Sequence, residues 1–256
     1  MSHRGFSLVG MLFSLLCLAV LLAIAMPALQ QSMTGIKEEG GKAPISGWGL
    51  QDQMNLYALM QSLNAASLGS GEPFPQPSEI SGSRDIADDT TANLYSVLVM
   101  QRLVPANQLV SQADFLVDVD RDYDFTMYDP RSRVYWDPAF SADLHEDSNV
   151  SYAHMPLYGD RLRDNWSAQM SSSFPLFGNR GPEDGIERED SYACFDGLWG
   201  GYVAFGDGHV DFLDSPSAFR RSGDGLFSID DEARHSDAIL GFTELMNSDG
   251  PVLQWD

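Results

Sequence analysis

The chain has 256 residues and a formal net charge of −22, with 37 acidic side chains against 15 basic ones. Nucleic-acid binding relies on the opposite balance, because phosphate contacts need lysine and arginine, so a nucleic-acid partner is excluded for the chain's own surface. An acidic exterior suits solubility, cation binding or a salty medium, and the length supplies one sizeable folded domain or two small ones.

The first element in chain order is an apolar run. From Phe6 to Leu29 no side chain is charged, and a helix of that length reaches about 36 Å, enough to cross the roughly 30 Å hydrocarbon core of a bilayer. Arg4, His3 and the starting amine are the only positive groups ahead of it, so the positive-inside rule places the N-terminus in the cytoplasm and the bulk of the chain outside. A cleaved secretory signal ending at Ala23-Ile24-Ala25 fits less well, because the run is long for the apolar region of a signal peptide. A lipoprotein signal fails, since Leu16 rather than a small residue precedes Cys17.

Arg4-Gly5-Phe6-Ser7-Leu8-Val9, followed by about twenty apolar residues and then Pro27, resembles the N-terminus of type IV pilins and pseudopilins. The resemblance implies a leader over residues 1–5 that prepilin peptidase removes between Gly5 and Phe6, with methylation of the new Phe6 amine. It implies a hydrophobic transmembrane and assembly helix over residues 6–34, kinked at Pro27, in a single pass through the inner membrane. The chain departs from the family at Gly10, where a glutamate usually neutralises the amine of a neighbouring subunit. An unpaired ammonium in an apolar bundle is costly, so the implied role is a minor or tip subunit rather than a major pilin. Prepilin peptidase, other pilin-like subunits and the inner membrane are the implied partners.

Residues 35–49 read as a flexible break, with Gly35, Gly40, Gly41, Pro44 and Gly47 interrupting any continuous helix. Residues 50–256 then read as an extracytoplasmic pilin-like α+β head with an antiparallel β-sheet. Leu56, Leu59, Met60 and Leu63 follow the spacing of a helix with one buried stripe, ending near Gly69 to Gly71. Pro73 to Pro77 form an extended connector, and a tyrosine-bearing helix followed by such a proline-rich turn, here Tyr57 and Pro73 to Pro77, resembles the entry to the head in prepilin-like proteins. A second helix starts at Thr90 or Thr91 as N-cap, carries Leu94, Val97 and Leu98 inward, and stops before Pro105.

Asp118, Asp120, Asp122 and Asp124 alternate along a predicted strand, with Asp129 nearby. Their mutual repulsion is relieved either by calcium or by plain solvation on an acidic edge strand. The spacing begins like an EF-hand loop and places Asp129 at its twelfth position, yet Tyr123 stands where that loop needs glycine. Solvation is therefore the favoured reading, with no cofactor required.

Gly201 to Leu213 predicts a hairpin whose two-residue turn is Asp207-Gly208, setting Phe205 opposite Val210 and Val203 opposite Phe212 on one face and leaving Ala204 and Asp211 toward water. Asp207, Gly208 and His209 within this hairpin resemble a C-terminal motif of an expanded bacterial prepilin-like group, although Gly197 occupies the place of that motif's histidine. Ser151-Tyr152-Ala153 and Phe174-Pro175-Leu176 ahead of Arg180 are weaker echoes of the same group.

Cys17 and Cys194 lie too far apart in the expected layout to pair, which leaves no disulfide framework. No metalloprotease, nucleophile-elbow, phosphate-loop or Cys-x-x-Cys motif is present, and the histidines at positions 3, 145, 154, 209 and 235 lack metal-ligand spacing. The sequence points to a non-enzymatic minor pilin or pseudopilin of a type IV pilus or type II secretion-like filament. The competing expectations are a membrane-anchored extracytoplasmic module binding calcium or a polymer and, more remote, an anchored hydrolase.

Overall fold

Leu56, Leu59, Met60 and Leu63 lie buried along one stripe of helix α1, Gly47–Ser70. The computed structural model describes residues 47–112, 114, 123–168, 172–183, 199–219, 225–230 and 233–256. The chain divides into two units, Met1–Gly47 and Trp48–Asp256, and the described elements belong to the second, with α1 starting at its border.

After α1 come a short helix α2, Pro77–Ile80, helix α3, Thr91–Met100, and helix α4, Gly159–Asn165. The strands are β1 (Tyr152–His154), β2 (Pro175–Asn179), β3 (Gly201–Phe205), β4 (Val210–Leu213), β5 (Phe242–Asn247) and β6 (Gly250–Gln254). Strands β1 to β4 form an antiparallel meander in chain order, and β5 pairs with β6 as a second, two-stranded sheet. A bridge between His154 and Gly241 ties the edge of β1 to the entry of β5.

Register decides which face each helix covers. Tyr152 pairs with Asn179 and His154 with Phe177, Phe177 pairs with Ala204, and Tyr202 pairs with Phe212. Directly paired residues share a face, so Tyr152, Asn179, His154 and Phe177 lie together. α1 bonds to Tyr152 and Asn179 through Asp52, and α3 reaches the same face through Tyr95, whose ring is 6.2 Å from Phe177. The opposite face is also covered, because Leu240 packs over Gly178.

The helix limits follow from local chemistry. Thr90 caps α3 by accepting the Asn93 N–H at 3.3 Å, and Leu94, Val97 and Leu98 are fully buried. α1 begins at Gly47, inside the stretch expected to be a break. Gly49 lets the sheet approach closely there, since a Cβ would stand 3.1 Å from the Tyr202 ring and push it back by a few tenths of an ångström. The proline connector is clasped by Trp166, whose indole N–H donates to the Pro75 carbonyl at 3.1 Å while its ring meets Phe74 edge-on at 5.5 Å.

Two expectations are corrected. The described fold is α+β with antiparallel sheets, and the expected fold class with a transmembrane helix is not what it shows: among the described residues no helix is long and apolar enough to cross a membrane. α1 is long enough, but Asp52, Asn55, Gln61 and Asn64 interrupt its apolar content. The expected helix over 6–34, with Gly5, Phe6, Gly10 and Pro27, lies outside the described residues. The localisation as a single-pass inner-membrane protein with an extracytoplasmic head rested on that helix, and it is withdrawn with it.

The second correction concerns the hairpin. Ala204 faces Val210 and Val203 faces Asp211, one residue out of the expected register. Gly208 N–H donates to Phe205 O at 2.8 Å and Phe205 N–H to His209 O at 2.9 Å, so the loop holds three residues, Gly206 to Gly208. Only Gly208 has positive φ, at 92°, the pattern of a turn closed by a glycine bulge rather than a mirror-image two-residue turn. The slip moves Val210 and Phe212 to the side of Ala204 and Tyr202, and Ala204 is fully buried instead of facing water.

Candidate functional site

The hairpin tip rests beside α1. A Cβ on Gly208 would stand 3.2 Å from Asn64 Nδ2 and 3.4 Å from Gln61 Nε2. Asp207 turns its carboxylate back on the loop: Oδ1 accepts the His209 backbone N–H at 3.1 Å and also meets the ring Nδ1. The other ring nitrogen lies 3.5 Å from Asp211 Oδ2. The imidazole stacks flat on Phe205, with centroids 4.4 Å apart and planes within 5°. Partial burial pushes the Asp207 carboxyl up, but the hydrogen bonds from the His209 backbone and ring and the imidazole charge outweigh it and hold the group below its usual value. These interactions lock the turn and direct His209 along the sheet.

Of the acidic run, Asp124 and Asp129 are described and Asp118, Asp120 and Asp122 lie outside the described residues. Asp124 does not continue a strand. Its Oδ1 accepts Thr126 N–H at 2.9 Å and Thr126 Oγ1–H at 2.6 Å, capping a 3-10 turn over Phe125–Met127. Asp129 caps the next turn through Arg131 N–H at 3.1 Å and Ser132 Oγ–H at 2.6 Å. The hydrogen bond from Ser132 leads the causes that hold the exposed Asp129 carboxyl below its usual value. No group of three or more metal-ligating side chains forms among the described residues.

Two buried polar clusters went unread in the sequence. Asp52, fully buried, accepts from Ser111 Oγ at 2.8 Å, Tyr152 Oη at 2.9 Å and Asn179 Nδ2 at 2.9 Å. Burial, and then the Asp52 charge, push the Tyr152 hydroxyl well above its ordinary value. A signal existed, because Asp52 stands one turn before Leu56 and so completes the buried stripe 52, 56, 59, 63. An acid at that position must find donors in the core.

The second cluster centres on His154. Its Nδ1 lies 2.7 Å from Met155 O and therefore carries the proton, leaving Nε2 to accept from the Thr91 hydroxyl at 2.8 Å. Thr91 Oγ1 accepts in turn from Thr243 N–H at 2.6 Å. Burial pushes His154 down to about 4, so the ring is neutral at physiological pH. The chain β1–α3–β5 is thereby joined by hydrogen bonds that each have an assigned direction.

Next to this cluster a cavity of about 260 Å³ opens between Thr90 and Ala92, residues 138–143, and Thr243 with Glu244. The Thr243 hydroxyl is buried and has no hydrogen-bond partner. Of the residues singled out in the sequence the cavity touches Thr90, the helix cap, and none of the candidate site residues.

No family model matches the chain. No curated protein matches it either, and no solved structure does.

Proposed function

We propose that the chain is a non-enzymatic, pilin-like or pseudopilin subunit of a type IV pilus or type II secretion-like filament, processed by prepilin peptidase between Gly5 and Phe6. One observation carries the reading. The Tyr57-bearing helix and the Asp207-Gly208-His209 hairpin, two of the described segments that resemble prepilin-like proteins, meet in space where Gly208 approaches Asn64 and Gln61. Segments this distant in sequence need not touch, and their contact supports a common head in which the hairpin tip braces the helix.

In this reading the work is mechanical. The head presents a surface, and the Gly10 departure from the family makes it a minor or tip component. Intact mass of the mature protein tests it: loss of Met1 to Gly5 with one added methyl group on Phe6 is the expected result. A retained leader, or a new N-terminus after Ala25, overturns it.

A binding module outside any filament is the second reading, favoured by the 260 Å³ cavity beside Thr243. A retained leader together with a bound polymer or calcium ion that protects the cavity residues supports it over the first.

A further inference from the structure

The cavity beside Thr243 combines two carboxylates with an apolar wall. Asp143, on the loop after Phe140, and Glu244, on β5, both line it, and no lysine, arginine or histidine does. Ala92, Pro138, Phe140 and Ala142 supply the apolar part. An apolar cavity of about 150 Å³ holds benzene, so one of about 260 Å³ has room for a ligand of about ten non-hydrogen atoms.

The hydrogen bonds of the lining show which polar atoms remain for such a ligand. Thr90 Oγ1 accepts the Asn93 N–H at 3.3 Å and Ser141 Oγ accepts the Asp143 N–H at 3.3 Å, so both hydroxyl oxygens already serve the backbone. Asp143 Oδ1 accepts the His145 N–H at 2.8 Å and is approached by Gln254 Nε2 at 3.4 Å. The Gln254 amide is itself anchored, because its Oε1 accepts the Leu144 N–H at 3.0 Å. Asp143 is thus held through one oxygen. Among the described residues neither its Oδ2 nor the Glu244 carboxylate accepts a hydrogen bond or forms an ion pair. The Thr243 hydroxyl, buried in the same wall, has no partner either, and a buried hydroxyl left so is rare in a folded protein.

Charge selects the occupant. Two carboxylates repel an anion, and a neutral apolar molecule leaves them unused. A calcium ion takes six to eight oxygen ligands, whereas no group of three or more metal-ligating side chains forms among the described residues. An organic ammonium ion uses both halves of the cavity: its N–H groups donate to carboxylate oxygens, and its hydrocarbon body covers the apolar wall.

We infer that this cavity binds a small organic ammonium ion, a primary amine on a compact apolar body, through Asp143 and Glu244. Glu244 is exposed, so solvent screens part of the attraction and the affinity is modest, on the order of millimolar. The site belongs to the folded unit after Trp48 and stands whether or not the leader is removed. Its failure would leave the intact-mass result untouched.

Calorimetric titration of the full-length chain with cyclohexylammonium, cyclohexanol and cyclohexanecarboxylate tests it, since the probes share a ring and differ in charge. Cyclohexylammonium should bind saturably, at least about tenfold more tightly than the other two. Asp143→Asn with Glu244→Gln keeps the side-chain shapes and the Oδ1 acceptor, and should weaken that binding at least about tenfold. Ala142→Leu, which fills the cavity, should abolish it. Removing two exposed acids elsewhere, Glu72→Gln with Asp249→Asn, should leave it within about twofold, because distant exposed charges are screened. Equal loss in that control would mean a diffuse attraction to the acidic surface and overturn the site. Tighter binding of cyclohexanol or cyclohexanecarboxylate, or displacement of cyclohexylammonium by equimolar calcium, overturns the ammonium assignment. No saturable binding of any probe overturns the cavity as a binding site.

Discussion

The Tyr152 hydroxyl donates to Asp52 Oδ1 at 2.9 Å, joining β1 to α1 across 100 residues of chain. Ser111 and Asn179 donate to the other oxygen, so a single carboxylate draws the helix, the sheet and the loop at Ser111 onto one point. Its surroundings are apolar, with Leu56 and Leu59 among the most buried side chains.

Removing that carboxylate strands buried donors. Asp52→Ala should cost about 3 kcal/mol, because several hydrogen-bonding groups lose their acceptor without regaining water. Tyr152→Phe, which deletes one donor and leaves the carboxylate its others, should cost about 1 kcal/mol. Urea unfolding midpoints measure both. Equal losses in the two variants would show that the cluster is not organised around Asp52.

His154 gives the fold an acid sensitivity with a definite sign. Burial holds the folded ring at about 4 against an ordinary value of 6.5, so between these pH values the unfolded chain binds a proton that the folded chain refuses. The stability it contributes is complete above pH 6.5 and is lost as pH falls toward 4, by about 3 kcal/mol in all. His154→Gln should lower stability at pH 7, since the hydrogen bonds to Thr91 and Met155 change, while flattening the decline between pH 6.5 and 4. Parallel pH profiles for variant and parent would remove His154 as the source.

Legibility in the sequence depended on how local the deciding interaction was. The stripe of Leu56, Leu59, Met60 and Leu63 and the Thr90 cap of α3 need only helical spacing and a side chain three residues from its acceptor, and both are found where the pattern put them. The hairpin was read in place but one residue out of register. Asp-Gly suits either a two-residue turn or a three-residue turn closed by a glycine bulge, and the choice rests on the Phe205–His209 stack and the approach of Asn64, the latter about 140 positions away. Asp52 was passed over because its donors lie 59, 100 and 127 residues distant.

Calcium offers a direct check on the acidic run. Asp124 Oδ1 and both oxygens of Asp129 accept from turn N–H and hydroxyl donors, and a cation would compete with those bonds to gain them as ligands. Millimolar calcium should therefore leave the melting temperature unchanged. A rise that disappears in Asp120→Asn with Asp122→Asn would instead assign an ion to the run.

Gly208 combines two constraints that can be separated. Its φ of 92° disfavours any side chain, and an added Cβ would press on Asn64 Nδ2 at 3.2 Å. Gly208→Ala should cost about 1 kcal/mol from backbone strain alone and more with the contact included. Trimming the neighbour isolates the second part: in an Asn64→Ala background, Gly208→Ala should fall back toward the strain value. A double-mutant cycle on thermal or urea unfolding measures the difference. Strict additivity would mean that the hairpin tip does not bear on α1, which would also remove the contact between helix and hairpin on which the proposed function rests.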